Sequence, residues 1–173
     1  MQVSTEAIKA LREKTNAGIM ECKRVLQEVD GDLAAATQKL RERGYEMARK
    51  KESRTANQGL VESYIHTGGR VGVLVEVNCE SDFVSNTQEF KDLAHDIAMQ
   101  IVAANPRYIN PDDAPEGTES TDDDCLLLQP FIKDPSKTVN DLITETIAKV
   151  RENIKVKRFS RFELGLDGED TQP

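Results

Sequence analysis

The first 45 residues carry apolar side chains at intervals of three and four positions, the spacing of one helical face. Three such runs occur, over residues 7–11, 19–29 and 33–44. Residues 15–18 and the pair Asp30–Gly31 separate the runs, since Asn, Asp and Gly favour turns. Asp32 stands where a helix N-cap is expected, and Gly44 where the third helix is expected to end. We therefore predict three short helices that fold back on one another.

Beyond residue 58 the spacing changes to the alternation of a β-strand. One face of a predicted strand is marked by alternating valines: Val71, Val73, Val75 and Val77. Gly68–Gly69 precedes this strand and supplies the positive φ angles of a tight hairpin turn, so residues 60–66 and 71–79 are predicted to pair. Helical spacing returns over 87–104. A second long helix begins near Thr138, where Asp141 completes a sequence similar to a capping box.

These elements predict an α+β fold with a small antiparallel sheet and packed helices. Residues 1–45 form a three-helix bundle of the ubiquitin-associated type, and 46–58 form a charged linker. Residues 59–165 form the α+β core, in which 156–164 is the last strand. Within the core, the acidic segment 110–124 is predicted to be a mobile loop, because it holds seven Asp or Glu, two Pro and no Lys or Arg. Residues 166–173 are a polar tail.

The net charge of −8 is unevenly distributed along the chain. Residues 1–58 hold 12 Lys or Arg and 9 Asp or Glu, whereas the remainder holds 11 and 22. An acidic body is poorly suited to nucleic acid, so a protein partner with positive patches is expected instead. No apolar run is long enough to cross a membrane, and the N-terminus shows no signal pattern. Three cysteines at wide spacings fit reduced thiols, so we expect a cytoplasmic protein.

Several residue groups are candidate sites, but each has a simpler structural interpretation. Asp30 and Asp32 lack the ligand spacing of a calcium loop, so a turn and a cap are favoured. Gly68–Gly69 does not lead into a helix, so a hairpin turn is favoured over a phosphate cradle. His66 and His95 stand without a paired nucleophile, which favours structural or surface roles. The acids 122–124 are best explained as a solvated loop. No cofactor is expected.

Two sequence blocks are not explained by local structure alone. The predicted strand that ends at Cys79 is followed by Ser81, Asp82, Phe83 and Val84. The acid beside Phe83 argues mildly against a purely packed aromatic, so Phe83 either closes a local core or is offered to another molecule. The spacing of the second predicted helix places Ile19 in the same apolar stripe as Cys22, and this stripe is expected to be buried. Because adjacent helix positions diverge by about 100°, Ile19 and Met20 cannot both point into a small bundle, and one is expected to be exposed.

With these two blocks, the chain resembles the elongation factor Ts family, which releases GDP from elongation factor Tu. The resemblance covers most of the chain and includes residues 11–26, 72–79, 81–84, 129–134 and 152–165. Two family motifs differ slightly here. Ser81 replaces the usual Thr before Asp-Phe-Val, and Asn16 replaces Gly in the first turn, where positive φ is expected. Family members generally carry a helical stretch between Tyr108 and Leu126, where this chain has the short acidic loop. The chain also lacks the duplicated core half of long members, so it resembles a short form.

The resemblance implies a partner, elongation factor Tu, and two contact surfaces. Arg12, Ile19 and Met20 match the family's surface on the N-terminal bundle. Residues 81–84 match the segment that reaches the nucleotide site, where Phe83 wedges beside a partner helix and Asp82 approaches the magnesium region. A short form also implies completion by a second copy, so a homodimer through the core sheet is expected. The resemblance implies no enzymatic activity.

Two other classes of function remain open from the residues alone. The first is a ubiquitin-associated-type binding module joined to an unrelated α+β body, without exchange activity. The second is an enzyme that uses Asp82, His66 and Cys79 in a cleft. The second class is disfavoured because the sequence carries little chemistry suited to catalysis.

Overall fold

The computed structural model describes residues 3–165. Six α-helices and five strands occur in this part of the chain, which confirms the predicted α+β class. The helices are α1 (Thr5–Thr15), α2 (Ile19–Glu28), α3 (Leu33–Lys51), α4 (Asp82–Ser85), α5 (Gln88–Ala104) and α6 (Val139–Val150). The strands are β1 (Gln58–Ile65), β2 (Val71–Cys79), β3 (Pro130–Phe131), β4 (Asp134–Thr138) and β5 (Ile154–Glu163). None of the helices between residues 3 and 165 is long and apolar enough to cross a membrane.

Contacts divide the chain into two compact units. The first unit contains the residues up to 54 together with 144–153, the C-terminal part of α6 and the turn after it. The second contains 55–143 and the residues from 154 onward. The predicted division into 1–45, 46–58 and 59–165 remains a prediction, and the tail at 166–173 lies outside the described residues.

The first unit is built on the predicted three-helix bundle. Its buried centre consists of Leu11, Cys22, Val25, Leu26, Ala36 and Leu40. The helix ends are held by caps that the sequence predicts. Asn16 adopts φ 53° and its N–H donates to the Arg12 carbonyl at 2.8 Å, while Asp32 Oδ1 accepts from Ala34 and Ala35 at 2.8 and 3.0 Å. Short polar side chains therefore set the turns that let the helices pack.

The third helix is longer than predicted. It continues through Gly44 to Lys51 and so occupies half of the segment 46–58 that was predicted to be a linker. Gly44 is buried, and a Cβ placed there would lie 3.3 Å from Thr144 Cγ2. The glycine accommodates a close neighbour within the first unit instead of ending the helix, so the prediction of a helix end at Gly44 is wrong.

The second unit contains an antiparallel sheet in the order β1–β2–β5. The hairpin is confirmed: Ile65 pairs with Gly72, Gln58 pairs with Cys79, and Gly68 and Gly69 have φ of 97° and 68°. β5 pairs with the other edge of β2, with an irregularity between Glu76 and Val77. The strand with the alternating valines, β2, is therefore the central strand of the sheet.

One face of this sheet is covered and the other is exposed. Val73, Val75 and Val77 are buried on the covered face, where α5 packs with its own apolar stripe. Polar contacts join the same layers, because His95 Nδ1 lies 3.0 Å from Glu62 Oε1 and Arg161 donates to the Val102 carbonyl at 3.3 Å. The predicted helix over 87–104 is confirmed as α5, with Thr87 as its N-cap.

The segment between α5 and α6 has more local structure than its composition predicts. Two 3₁₀ turns, at 111–113 and 122–124, lie in the acidic segment 110–124 that was predicted as a loop. Asp113 accepts from the Asn110 N–H at 2.8 Å, and Asp124 accepts from the Thr121 N–H at 2.9 Å. These carboxylates cap turns, and the bond from Thr121 also lowers the pKa of Asp124.

Candidate partner-binding site

The strand-to-helix junction after β2 is held by a series of short hydrogen bonds. Ser81 caps the single-turn helix α4, where its Oγ accepts from the Val84 N–H at 3.3 Å. The Asp82 carbonyl accepts from Ser85 Oγ at 2.8 Å and from Asn86 Nδ2 at 2.9 Å. A turn with this many internal bonds holds its outward side chains in fixed positions.

Phe83 projects outward from this turn. Its side chain is 78% exposed, the largest exposed fraction among the large apolar residues that are exposed in the described chain. Its neighbour Val84 is only 4% exposed. The junction therefore presents the aromatic ring and buries the valine beside it. Burial places Val84 among the packing residues, although the resemblance implies a partner contact there.

Asp82 and Phe83 together line a shallow surface depression of about 410 Å³, with Asn86 and Thr87. Asp82 is exposed, and Ser81 is half-buried beneath it. A carboxylate and an aromatic ring thus lie next to each other on a hydrogen-bonded turn. This surface presents an apolar ring beside a negative charge, and it belongs entirely to the second unit.

The candidate surface on the three-helix bundle also consists of exposed residues. Arg12 is exposed on α1, while Ile19 and Met20 are 54% and 74% exposed at the start of α2. The expectation that Ile19 packs with Cys22 is wrong, because Cys22 is fully buried and Ile19 is not. The first helical turn lies at the margin of the bundle, so both apolar side chains face outward.

The structure separates the residues of the alternative catalytic cleft. His66 follows β1 at the hairpin turn, whereas Cys79 ends β2 at the opposite end of the hairpin. At about 3.3 Å per residue, eight steps of strand place them roughly 26 Å apart. Cys79 is also buried, and its Sγ lies 3.1 Å from the Ser81 carbonyl oxygen. No shared site forms from Asp82, His66 and Cys79.

The remaining candidates are accounted for by local structure. His66 Nδ1 lies 3.2 Å from the Tyr64 hydroxyl, and Asp30 occupies a turn with φ 52°. Within residues 3–165, no group of three or more His, Cys, Asp or Glu is arranged to hold a metal ion. Burial raises the pKa of Cys22 and of Cys125, so both thiols stay protonated and unreactive near neutral pH.

Comparison with known proteins agrees with this arrangement of a bundle followed by a hairpin. The family model described as "Elongation factor TS" matches residues 1–121. The chain belongs to the elongation factor Ts family. Members of this family are translation elongation factors that promote guanine nucleotide exchange, so the chain has a role in protein synthesis.

Full-length relatives support the same assignment. The chain is 47% identical to elongation factor Ts of a Thermoanaerobacter species, over 94% of this chain and 95% of the relative. It is 47% identical to that of Caldanaerobacter subterraneus subsp. tengcongensis, over 94% of this chain and 97% of the relative. It is 48% identical to that of Heliobacterium modesticaldum, over 94% and 90%.

Two features of these matches bear on the predictions from sequence. The family match crosses both the bundle and the β1–β2 hairpin, which rules out a binding module joined to an unrelated body. The alignments extend over 194 positions, more than the 173 residues of this chain. The relatives therefore carry positions that this elongation factor Ts family member lacks.

Proposed function

We propose that this protein releases GDP from elongation factor Tu and that Phe83 is the wedge that does so. The observation that carries the proposal is the exposure of Phe83 on a hydrogen-bonded turn that buries the adjacent Val84. A large aromatic side chain held outside the core loses apolar burial, and a partner restores it. Family membership supports elongation factor Tu as that partner.

The mechanism requires displacement and no covalent chemistry. Phe83 inserts beside a helix of the GTPase domain, and the Asp82 carboxylate approaches the magnesium region. A negative charge and a displaced helix both weaken the metal and phosphate contacts that retain GDP. Thermodynamic linkage makes the effect reciprocal, so bound GDP must weaken the binding of this protein by the same factor. The protein then binds nucleotide-free partner most tightly and leaves when GTP binds.

We further propose that the bundle supplies a second contact through Arg12, Ile19 and Met20. All three side chains are exposed, and an exposed Met adapts readily to a partner surface. This contact increases the residence time on the partner while the junction at Phe83 acts on the nucleotide site. Because translation takes place in the cytoplasm, we propose that the protein acts there.

The release of fluorescently labelled GDP from elongation factor Tu tests the proposal. We expect the wild-type chain to accelerate release strongly, and Phe83→Ala to lose most of this acceleration. Ile132→Ala is the matched control, because Ile132 is also an exposed apolar residue, at 41%, outside both proposed surfaces. Equal acceleration by wild type and Phe83→Ala would falsify the wedge, and no acceleration by wild type would remove the proposed exchange activity itself.

We also propose a homodimer formed through the exposed face of the sheet. Four apolar side chains occupy this face by strand register and alternation: Val61, Ile65, Leu74 and Phe162, each at least 50% exposed. Ile65 and Phe162 flank Gly72 from the two neighbouring strands. A second copy that presents the same face across a two-fold axis would bury all of them.

A further inference from the structure

The backbone carbonyl of Asp82 accepts hydrogen bonds from three donors. Ser85 Oγ donates to it at 2.8 Å, Asn86 Nδ2 donates at 2.9 Å, and the Asn86 backbone N–H donates at 3.1 Å. A carbonyl oxygen has two lone pairs, so three donors exceed its ordinary capacity. Because this carbonyl belongs to the peptide group that joins Asp82 to Phe83, the three bonds fix the orientation of that peptide group.

The helix α4 is too short to hold this peptide group through its backbone alone. It has four residues, and a helix of one turn is not stable by itself. Its backbone bonds are 3.3 Å long from the Ser85 N–H to the Ser81 carbonyl and 3.1 Å long from the Asn86 N–H to the Asp82 carbonyl. The two side-chain bonds to the Asp82 carbonyl are both shorter. The side chains therefore supply order that one turn of backbone does not.

Ser85 and Asn86 reach the same oxygen from different environments. Ser85 is 8% exposed, so its hydroxyl needs a partner inside the protein, and the Asp82 carbonyl is that partner. Asn86 is exposed, and water satisfies an exposed amide about as well as a carbonyl does. The amide nevertheless bonds to the Asp82 carbonyl. Burial of a polar group accounts for the first bond but not for the second, and what the two bonds share is the peptide group that they hold.

The other end of the turn is fixed to the core of the second unit. The Val84 carbonyl accepts from the Thr87 N–H at 3.0 Å and from Thr87 Oγ at 2.7 Å, and Thr87 Oγ accepts from the Phe90 N–H at 3.3 Å. Val84 is 4% exposed and Phe90 is fully buried. The end of α4 is thus joined to the start of α5. The freedom that remains to the ring of Phe83 lies in the peptide group before it.

We propose that Ser85 and Asn86 are positioning residues for nucleotide release. Their side chains hold the peptide group before Phe83, so that the ring is ordered before it meets the partner. A ring that is already ordered loses less conformational entropy on binding. Without these bonds the exposed ring moves, and the partner must order it during insertion. The inference rests on the proposed function, because it states how the ring of Phe83 is prepared for that function.

The release of labelled GDP from elongation factor Tu, at saturating concentrations of this protein, tests Ser85. Because Ser85 is buried, a change in release does not come from a lost contact with the partner. We expect Ser85→Ala to reduce the maximal acceleration about fivefold, the effect of about one hydrogen bond. Ser85→Cys is similar in size but a weaker donor, so it should fall between Ser85→Ala and wild type. The control Thr37→Val removes a hydroxyl bond of 2.7 Å to the Leu33 carbonyl in the first unit and should act like wild type.

A fluorescent reporter at position 83 distinguishes positioning from a merely structural role. The chain contains no tryptophan, so Phe83→Trp supplies a single fluorophore at the ring itself. Time-resolved anisotropy of the free protein then measures the nanosecond motion of this ring. We expect the amplitude of the motion to rise when Ser85→Ala or Asn86→Ala is added, and to stay the same with Thr37→Val. Slower GDP release by Ser85→Ala with unchanged ring motion would overturn the inference and leave Ser85 a structural role only.

The two measurements also separate this inference from the proposed function. If wild type accelerates GDP release and both Ser85→Ala and Asn86→Ala match it, the positioning role is wrong and the proposed function stands. If wild type does not accelerate release, the proposed function fails, and the anisotropy alone decides whether Ser85 and Asn86 hold the ring. Asn86→Ala guards against a folding defect in Ser85→Ala, because Asn86 is exposed and its truncation should change the thermal midpoint little. Unchanged ring motion in both variants overturns the inference.

Discussion

The adjacent residues Phe83 and Val84 differ sharply in environment, although both belong to one helical turn. The valine side chain is buried while the ring lies outside, because successive positions of α4 point in directions about 100° apart. The sequence could not decide between these environments, since Phe is usually buried. The neighbouring acid, Asp82, was the feature of the sequence that favoured exposure of Phe83. In α4 the side chains of Asp82 and Phe83 are both exposed.

Truncation of Phe83 should therefore have little effect on stability. We expect Phe83→Ala to change the free energy of unfolding by less than about 1 kcal/mol, as for other surface substitutions. Phe90→Ala is the control, because Phe90 is fully buried on α5 and its loss should cost about 3–5 kcal/mol. Urea denaturation followed by circular dichroism measures both. A loss of several kcal/mol for Phe83→Ala would mean that the ring belongs to the core.

The ion pairs of Glu28 make the stability of the bundle depend on pH. Arg43 Nη2 lies 2.7 Å from its Oε2, Lys39 Nζ lies 3.0 Å from the same oxygen, and these partners lower the pKa of Glu28 from its ordinary value of 4.5. A lowered folded-state pKa stabilises the protein above the unfolded pKa and ceases to do so as pH falls through the folded value.

Replacement of this carboxylate should reveal the effect. We expect Glu28→Gln to be less stable than wild type at pH 7, and this difference to shrink as pH falls below about 4.5. Urea denaturation at pH 7 and pH 3 measures the difference. If it stays constant across this range, the ion pairs do not contribute the expected pH dependence. Glu6→Gln, at an exposed position of α1, is the control for the loss of one negative charge.

At the scale of elements, the sequence predicted what is encoded by local spacing. The hairpin, α5 and α6 follow from alternation, from Gly68–Gly69 and from the caps at Thr87 and Thr138. The end of α3 could not be predicted, because the tolerance of Gly44 depends on Thr144, a hundred residues away. The strands β3 and β4 were missed for a similar reason, since their sequence shows no alternation and a buried glutamine from α5 fixes their position.

That glutamine gives an element-scale prediction. Gln100 is 1% exposed, donates to Gln129 Oε1 at 3.1 Å and to the Pro130 carbonyl at 3.2 Å, and accepts from the Ile132 N–H at 2.9 Å. We expect Gln100→Ala to destabilise the protein by about 2–3 kcal/mol, because buried polar groups lose their partners. Gln88→Ala on the same helix, where the side chain is exposed, should change stability little. Hydrogen exchange of the Ile132 amide should rise only in Gln100→Ala.

At the scale of the whole molecule, the apolar sheet face determines the expected assembly. The proposed dimer buries Leu74 at the centre of this face, between Ser63 and Ser160 on the flanking strands. We expect Leu74→Lys to shift the protein to monomer, because two charges would be buried opposite each other across a two-fold axis. Sedimentation equilibrium at micromolar concentration measures this shift. A wild-type mass of 19.3 kDa would show that no dimer forms.

The sequence could not show this face in advance. It identified alternating valines on one side and Leu74 on the other, but exposure of Val61 and Phe162 depends on the register of three strands. It placed Arg12 among the candidate contacts only by family resemblance, whereas helix geometry already predicted that either Ile19 or Met20 is exposed. It also did not show that Arg151 lies near Lys23 and Lys50, because α6 follows α3 only after the β1–β2 hairpin and α5.

The strand order β1–β2–β5 has a consequence for the nascent chain. The two hairpin strands are adjacent in sequence, and hairpins close within about 1–10 μs. The other partner of β2 comes much later, since Glu76 and Arg158, which pair across β2 and β5, are separated by 82 residues. At about 5–20 residues per second, the ribosome needs roughly 4–16 s to synthesise that interval. During those seconds the free edge of a valine-rich strand is open to wrong pairing, so biosynthesis of this factor passes through an aggregation-prone stage.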